Sequence, residues 1–427
     1  MNYHKIDQDH IWHPYTPYQE KQEHILIKKA EGAYIFDEKG NKILDAISSW
    51  WVNVYGHSHP YIAQKLNEQF LNLEHVIFAG FTHEPAIHLT ERLLAKVGQQ
   101  QSKLFFSDNG STAVEVALKM SFQYFSNQNI KKNKIIAFED AYHGDTFGAM
   151  SVSARSVFTE PFYELLFETI FITPPTPGNE EKCKNELKVA LEKDNVAAFI
   201  FEPLVMGVAG MMMYDKNVLN EMILSCQEKD VLCIADEVFT GFGRTGTFLA
   251  THQIEAEPDI ICYSKGLTAG AMPLGITTCN EKVFAPFKTS DKLKTLFHGH
   301  SFTANPLACS IALAGLDLYE SEEIQNGIKN IVQSHKAFAE KITAIYGNNK
   351  IENLRLHGTI LAFDVKTSDE GYLSNIRNNI YNYFLSKNVL LRPLGNIVYV
   401  VPPYCVTKQD LDLVYNAIEE FLEKELV

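Results

Sequence analysis

Two short apolar runs in the middle of the chain each stop at residues that can do chemistry. Val231-Leu232-Cys233-Ile234-Ala235 ends at the carboxylates of Asp236 and Glu237, and Ile260-Ile261-Cys262-Tyr263 ends at Ser264-Lys265-Gly266. Continuous apolar runs of this length are the pattern of strands buried on both faces. In an open α/β sheet, ligands collect at the carboxyl ends of parallel strands, so an acid and a lysine placed there can meet over one bound molecule. A lysine for a Schiff base, with an acid to keep a pyridine nitrogen protonated, is what pyridoxal 5'-phosphate requires. Two ordinary surface residues following core strands would look the same, so the rest of the chain has to decide.

Other candidates sit at comparable places. The expected strand 103–106 runs into Ser107-Asp108-Asn109-Gly110-Ser111-Thr112, which opens a strongly helical stretch over 113–120. Such a turn offers backbone N–H groups, hydroxyls and a positive dipole end to a phosphate, although an ordinary N-cap uses the same residue types. Expected strands at 134–138 and 196–201 end at Glu139-Asp140-Ala141-Tyr142-His143-Gly144-Asp145 and at Glu202-Pro203. Gly241-Phe242-Gly243-Arg244-Thr245-Gly246 spells a dinucleotide fingerprint. That motif must lie directly between a strand and a long helix, whereas five residues intervene after Ala235 and 247–251 shows no helical period. His57 and His59 have no Cys or carboxylate cluster beside them, which favours a loop role over metal binding.

Strands and helices alternate from about residue 84, which predicts a parallel sheet with right-handed crossovers. After about residue 318 the pattern changes. A helical stretch over 324–345, strand-like residues 358–365, a helix over 374–385, a pair of short strands at 389–392 and 397–401, and a closing helix over 407–422 predict a smaller α+β unit. Residues 1–48 are expected to join it, with a hairpin or meander over 25–37. The expected fold is therefore α/β, with a large, mostly parallel domain over 49–318 and a small domain made of 1–48 and 319–427. The aromatic-rich residues 1–20 are expected to pack on a core or line a pocket. Residues 295–316 carry no Asp, Glu, Lys or Arg but are too polar for hydrocarbon, which predicts a buried segment near a site.

Composition excludes several classes. At 427 residues and 46% apolar the chain can bury a large core. A net charge of −14 argues against a general nucleic-acid binder, which needs clustered Lys and Arg. Seven scattered cysteines without a C-x-x-C pair, and an N-terminus without an apolar stretch, lead to the expectation of a reduced, cytoplasmic protein away from membranes.

Taken together, Asp236-Glu237-Val238 with the glycine loop 241–246, Lys265 at 265 − 236 = 29 positions further on, and Asn305-Pro306-Leu307-Ala308 resemble the class III aminotransferases. These are pyridoxal-phosphate enzymes of fold type I, and the resemblance covers nearly the whole chain. Trp12-His13-Pro14-Tyr15-Thr16, Ser49-Trp50-Trp51, Tyr142-His143-Gly144-Asp145 and Arg392-Pro393-Leu394-Gly395 are similar to one biotin-forming branch of that family. That branch moves an amino group from S-adenosylmethionine to 8-amino-7-oxononanoate. The resemblance implies that Lys265 holds the cofactor and moves a proton, Asp236 pairs with the pyridinium, and Gly110 and Ser111 bind the phosphate. It implies Tyr142 stacked on the ring, and Glu202 supporting Asp236 or the ring's far edge. Ser301 is implied to reach a phosphate across a homodimer interface, with His300 left without a role. Tyr15 (also implied in catalysis) and Trp51 would wall the substrate pocket, Arg392 would hold a carboxylate, and Tyr142, Asp145 and Gly299 complete the expected substrate contacts. No metal is expected. Lysine as donor stays open, because Asp145 could meet its ammonium.

Overall fold

The computed structural model describes residues 2–18, 24–347, 349–367 and 376–424. The strands in chain order are β1 (Ile27–Glu31), β2 (Tyr34–Asp37), β3 (Lys42–Asp45), β4 (Gln101–Ser107), β5 (Lys134–Phe138), β6 (Thr169–Ile172), β7 (Val196–Phe201) and β8 (Val205–Met206). They continue as β9 (Met212–Met213), β10 (Leu232–Asp236), β11 (Ile260–Tyr263), β12 (Gly275–Asn280), β13 (Ile351–His357), β14 (Ile360–Val365), β15 (Val389–Leu390) and β16 (Ile397–Val400). Seven of them form the main sheet in the order β4-β12-β11-β10-β7-β5-β6. Only β12 runs antiparallel to its neighbours, β11 and β4; the other pairings are parallel.

β10 lies at the centre of that sheet and is buried throughout. Its side chains alternate between the two faces, as a pleated strand requires. Leu232 and Ile234 join a cluster with Val114, Ala117 and Leu118 of the helix Gly110–Ser126. Cys233 and Ala235 join the other cluster, with Leu219, Met222 and Ile223 of the helix Lys216–Glu228. Each fully buried Leu or Ile contributes roughly 1.5–3 kcal/mol, and a one-residue slip would exchange the two faces, so the register is strongly fixed. In that register Asp236 lies opposite Cys262 of β11 and Ala235 opposite Phe201 of β7. Glu202, Asp236 and Ser264-Lys265 consequently emerge at one edge of the sheet.

The smaller sheets are β1-β2-β3-β15, β13-β14-β16 and β8-β9. The first is a meander from the N-terminal part of the chain joined by β15, which runs parallel to β3. The expectation that 389–392 and 397–401 pair with each other is therefore corrected: β15 joins β3, while β16 lies antiparallel to β14. Pro393 supplies no ladder donor at the end of β15, and the chain then turns tightly through an antiparallel bridge between Leu394 and Ile397 into β16. The start of the helix expected at 374 lies outside the described residues, and the helix itself runs Ile376–Ser386.

A helix, Tyr3–His10, capped by the Asn2 side chain, occupies the N-terminal segment, and no residue in it is buried. Trp12 is 96% exposed and borders a cavity made by this segment, while Tyr15 lines a chamber described below, as expected of the segment. Nearby, Asp7 accepts hydrogen bonds from His24 (2.9 Å) and His13 (3.0 Å). The His24 bond leads in holding the Asp7 carboxyl below its usual range. This trio is the one group among the described residues whose ligating atoms converge as a metal would need. The expectation of a buried segment over 295–316 is corrected: only the part entering the helix Pro306–Glu320 is buried, while Phe297 and Phe302 are 66% and 62% exposed.

Candidate active site

The carboxyl ends of β7, β10 and β11 open into a cavity of about 570 Å³ lined by Glu202, Asp236, Lys265, Tyr142, Gly110 and Ser111, among others. Asp236 and Glu237 are neighbours in sequence with different fates, because successive side chains leave a strand in opposite directions. Asp236 faces the cavity; its Oδ2 lies 2.7 Å from Nδ1 of the buried His143, and its Oδ1 accepts from the Val238 amide at 3.1 Å. Glu237 is fully buried and takes the Thr240 hydroxyl and the Ala250 and Thr251 amides at 2.6, 3.1 and 2.7 Å, which folds the glycine loop back on itself. That loop is followed by one short helical turn, Ala250–Gln253, rather than the long helix a dinucleotide site needs.

Glu202 does not hydrogen-bond Asp236. Its two oxygens accept the Tyr142 amide at 3.1 Å and the Gly207 amide at 2.9 Å, and the hydrogen bond to Asp236 comes from His143. Burial pushes Glu202 up to about 7, aided by the nearby Asp236 charge and opposed by His143. Sequence reasoning quoted His143 within a motif but gave it no task. Its signal was a histidine one turn beyond a strand end, which acquires meaning only once β5 and β10 are known to be separated by β7 alone.

Lys265 opens a short helical turn directly after β11 and adopts a left-handed backbone, φ 46°. Its amine lies 4.7 Å from the Trp51 ring centroid and 5.6 Å from that of Phe239. Enclosure among these rings removes hydration from the ammonium and pushes its pKa down to about 8, against the pull of Asp236 and Glu202.

At the other end of the cavity, Asn109 caps the helix Gly110–Ser126. Its side chain accepts from the Thr112 amide (2.9 Å), while the Thr112 hydroxyl accepts from the Asn109 amide (3.1 Å). A helix cannot satisfy its own first amides, so those of Gly110 and Ser111 are left to a ligand or solvent, beside the positive end of the helix dipole. There is no room for a larger residue at either glycine that shapes this end. A Cβ on Gly110 would lie 2.7 Å from Val238 Cγ1, and one on Gly144, at φ +128°, would strike the Ser111 hydroxyl.

A second chamber of about 440 Å³ meets the first at Lys265 and is walled by Tyr15, Trp50, Trp51, Tyr142, Phe158 and Leu394 among others. Tyr15 and Tyr142 both give their phenol protons to Asp145, the latter at 2.9 Å. Burial pushes the Tyr142 phenol far up, so it remains protonated. Trp50 and Trp51 enter the chamber from an unusual backbone. Ser48, Ser49, Trp50 and Trp51 have φ of 52°, 44°, 67° and 72°, a left-handed turn without a glycine. Left-handed helix costs roughly 1–2 kcal/mol per L-residue, so the surroundings must hold this turn in place.

Arg392 does not line either chamber; its guanidinium lies over the Trp50 ring at 4.8 Å. Gly299 and Ser301 are exposed on a loop and do not enter the Lys265 cavity of their own chain. His300 caps that loop, its Nδ1 accepting the Phe302 amide at 3.2 Å. The structure thus brings together Lys265, Asp236, Gly110, Ser111, Tyr142, Asp145, Tyr15 and Trp51, sets Arg392 at the rim, and leaves Gly299 and Ser301 apart.

Residues 15–422 match the family described as aminotransferase class-III. The chain is 42% identical to the adenosylmethionine-8-amino-7-oxononanoate aminotransferase of Synechococcus elongatus, over 97% of this chain and 99% of that protein. It is 36% identical to the protein of the same name from Helicobacter pylori, over 98% and 97%. Among solved structures, the Methanocaldococcus jannaschii enzyme of that name superposes with a TM-score of 0.91 at 33% identity, over 98% of each chain. An amine transaminase from an uncultivated Pseudomonas species, solved with PLP bound, superposes with a TM-score of 0.90 at 27% identity, over 96% of this chain and 97% of that one.

Proposed function

The chain belongs to the class-III aminotransferases, a pyridoxal-phosphate-dependent family, and on that premise we propose that it carries the amino group of S-adenosylmethionine to 8-amino-7-oxononanoate, giving 7,8-diaminononanoate for biotin synthesis. One observation carries the reading of the site: Lys265 and Asp236 leave adjacent strands over a cavity whose far end is a helix start with unspent amides. The donor set fits pyridoxal phosphate, with anion-binding amides at Gly110 and Ser111, an anchored anion at Asp236, and an amine freed from the usual lysine range. Bound there, pyridoxal phosphate supplies an aldehyde that takes up an amino group and a ring that draws electrons from the carbon bearing it.

The protein's own residues do the rest. Lys265 would be the residue that holds the cofactor, and its amine would be the base that moves the proton of the donor carbon. Asp236 supplies the anion that a protonated pyridine nitrogen needs, and His143 fixes its orientation. Glu202 holds the Tyr142 backbone, and burial raises its pKa to about 7. Tyr142 offers a ring face to the cofactor, and the paired phenols of Tyr15 and Tyr142 shape the way into the aromatic chamber.

The chamber suits a pocket that must take a sulfonium nucleoside and an aliphatic keto acid in turn, since aromatic faces attract a cation without fixing one shape. Asp145 is already occupied by two phenols, which favours S-adenosylmethionine over lysine, whose ammonium would need that carboxylate. Arg392, at the rim over Trp50, is assigned the acceptor's carboxylate. The exposed loop bearing Gly299 and Ser301 fits a homodimer in which Ser301 completes the partner's phosphate site.

The pH dependence of cofactor capture follows from Lys265. Only the neutral amine attacks an aldehyde, so with a pKa of about 8 the rate of pyridoxal-phosphate uptake by apoprotein should rise about tenfold per pH unit up to pH 8 and then level off. Stopped-flow absorbance measures this; a rise continuing past pH 10 would mean an ordinary, hydrated lysine. The substrate assignment is tested by mixing holoprotein and 8-amino-7-oxononanoate with each donor separately. Diaminononanoate is expected with S-adenosylmethionine; product with lysine alone would overturn the donor, and none with either would overturn the acceptor.

A further inference from the structure

The left-handed turn Ser48–Trp51 is held by residues that touch neither the Lys265 cavity nor the aromatic chamber. Asp45, the last residue of β3, is fully buried, and its carboxylate gathers four donors: the Ile47 amide (3.3 Å), the Ser49 amide (3.0 Å), the Ser49 hydroxyl (2.8 Å) and His57 Nε2 (2.8 Å). The Asn53 side-chain amide donates to His57 Nδ1 at 2.9 Å, which leaves Nε2 to carry the proton given to Asp45. Two more ties complete the frame: the Ser48 hydroxyl donates to the Val401 carbonyl (2.8 Å), and the buried Arg244 of the glycine loop reaches the Trp51 carbonyl (3.5 Å). Without these ties, nothing in the local sequence Ile47-Ser48-Ser49-Trp50-Trp51 favours positive φ, since no glycine or asparagine is present.

We propose that Asp45 and His57 form a positioning pair that holds the left-handed turn and thereby sets how Trp50 and Trp51 shape the substrate chamber. The pair acts first on substrate fit, through Trp50, which lines the chamber and not the Lys265 cavity, while Trp51 borders both; Lys265 and Asp236 are themselves set by β11 and β10. The inference rests on the reading that this chamber receives the substrates.

The test is a split between KM and kcat in Asp45→Asn, which keeps the shape but places an amide donor against the His57 N–H. The expected result is a KM for the keto acid raised at least about tenfold, with kcat held within about threefold. The pyridoxal-phosphate dissociation constant should match wild type, because Gly110, Ser111 and Asp236 lie outside the turn. An unchanged KM, or cofactor affinity and kcat falling in step with it, would overturn the positioning role. His57→Gln, whose amide can still donate to Asp45, should retain a near-wild-type KM that His57→Ala loses; equal loss in both would count against the hydrogen bond. If Asp45→Asn does not fold, Asn53→Ala, which frees His57 Nδ1 from outside both chambers, carries the same test, with a rise in KM of about threefold expected and none overturning it. Wild-type protein inert toward the keto acid would count against the substrate reading alone, and the split would then be measured with an aromatic primary amine.

Discussion

Replacing Lys265 with alanine is expected to abolish transamination, a loss of more than about four orders of magnitude, and to remove the visible absorbance of the holoprotein. The size follows from two tasks resting on one amine. On the proposed reading it is the covalent anchor, and it is the only lysine among the cavity-lining residues that could carry a proton to and from the reacting carbon. The fold should survive, because Lys265 contributes its stem to the cavity wall and is recorded in no ion pair among the described residues, while β11 before it is buried independently. Pyridoxal phosphate should still bind without a covalent bond, through the helix start and Asp236. A variant with measurable turnover and an intact visible band would mean that another lysine holds the cofactor.

Asp236→Asn is expected to lower the rate by at least about two orders of magnitude while leaving folding and cofactor binding in place. The amide keeps the shape of the carboxylate and one acceptor for the Val238 amide, but it removes the only cavity anion fixed by a buried histidine. Near-wild-type turnover would shift the anion's task to Glu202. The geometry speaks against that: both Glu202 oxygens already serve backbone amides, and burial raises its pKa to about 7. The distinction is measurable, since a Glu202-dependent rate would rise with pH through about 7.

The parts of the molecule legible in the sequence were those where one local pattern has one outcome. β10 and β11 are unbroken apolar runs, so their burial, their place in the sheet and the emergence of Asp236 and Lys265 at their ends could all be read from the residues. The helix start at Gly110 was legible for the same reason, as a turn followed by a dense helical stretch. What escaped depends on partners far away in sequence. β12 carries two adjacent threonines, Thr277 and Thr278, that are buried because β4 and β11 flank it. β15 falls where a strand was expected, but its pairing beside Leu44 and Asp45 of β3 was not. The left-handed turn at Ser48–Trp51 contains no residue that favours it, so only the buried carboxylate of Asp45 explains it. His143 was visible as a residue but not as Asp236's partner, because 93 positions separate them in the chain. Glu202 was legible at its strand end, but its bonds to the Tyr142 and Gly207 amides were not, since such partners are chosen by loops that carry no periodic signal.

The most direct measurement of the central claim, that this cleft holds pyridoxal phosphate on Lys265 opposite Asp236, is reduction of the holoprotein with borohydride followed by peptide mapping. The expected result is a single phosphopyridoxyl-modified peptide containing Ser264-Lys265-Gly266, absent from the Lys265→Ala protein. Modification of a different lysine, or none in protein that shows the visible band, would contradict the account.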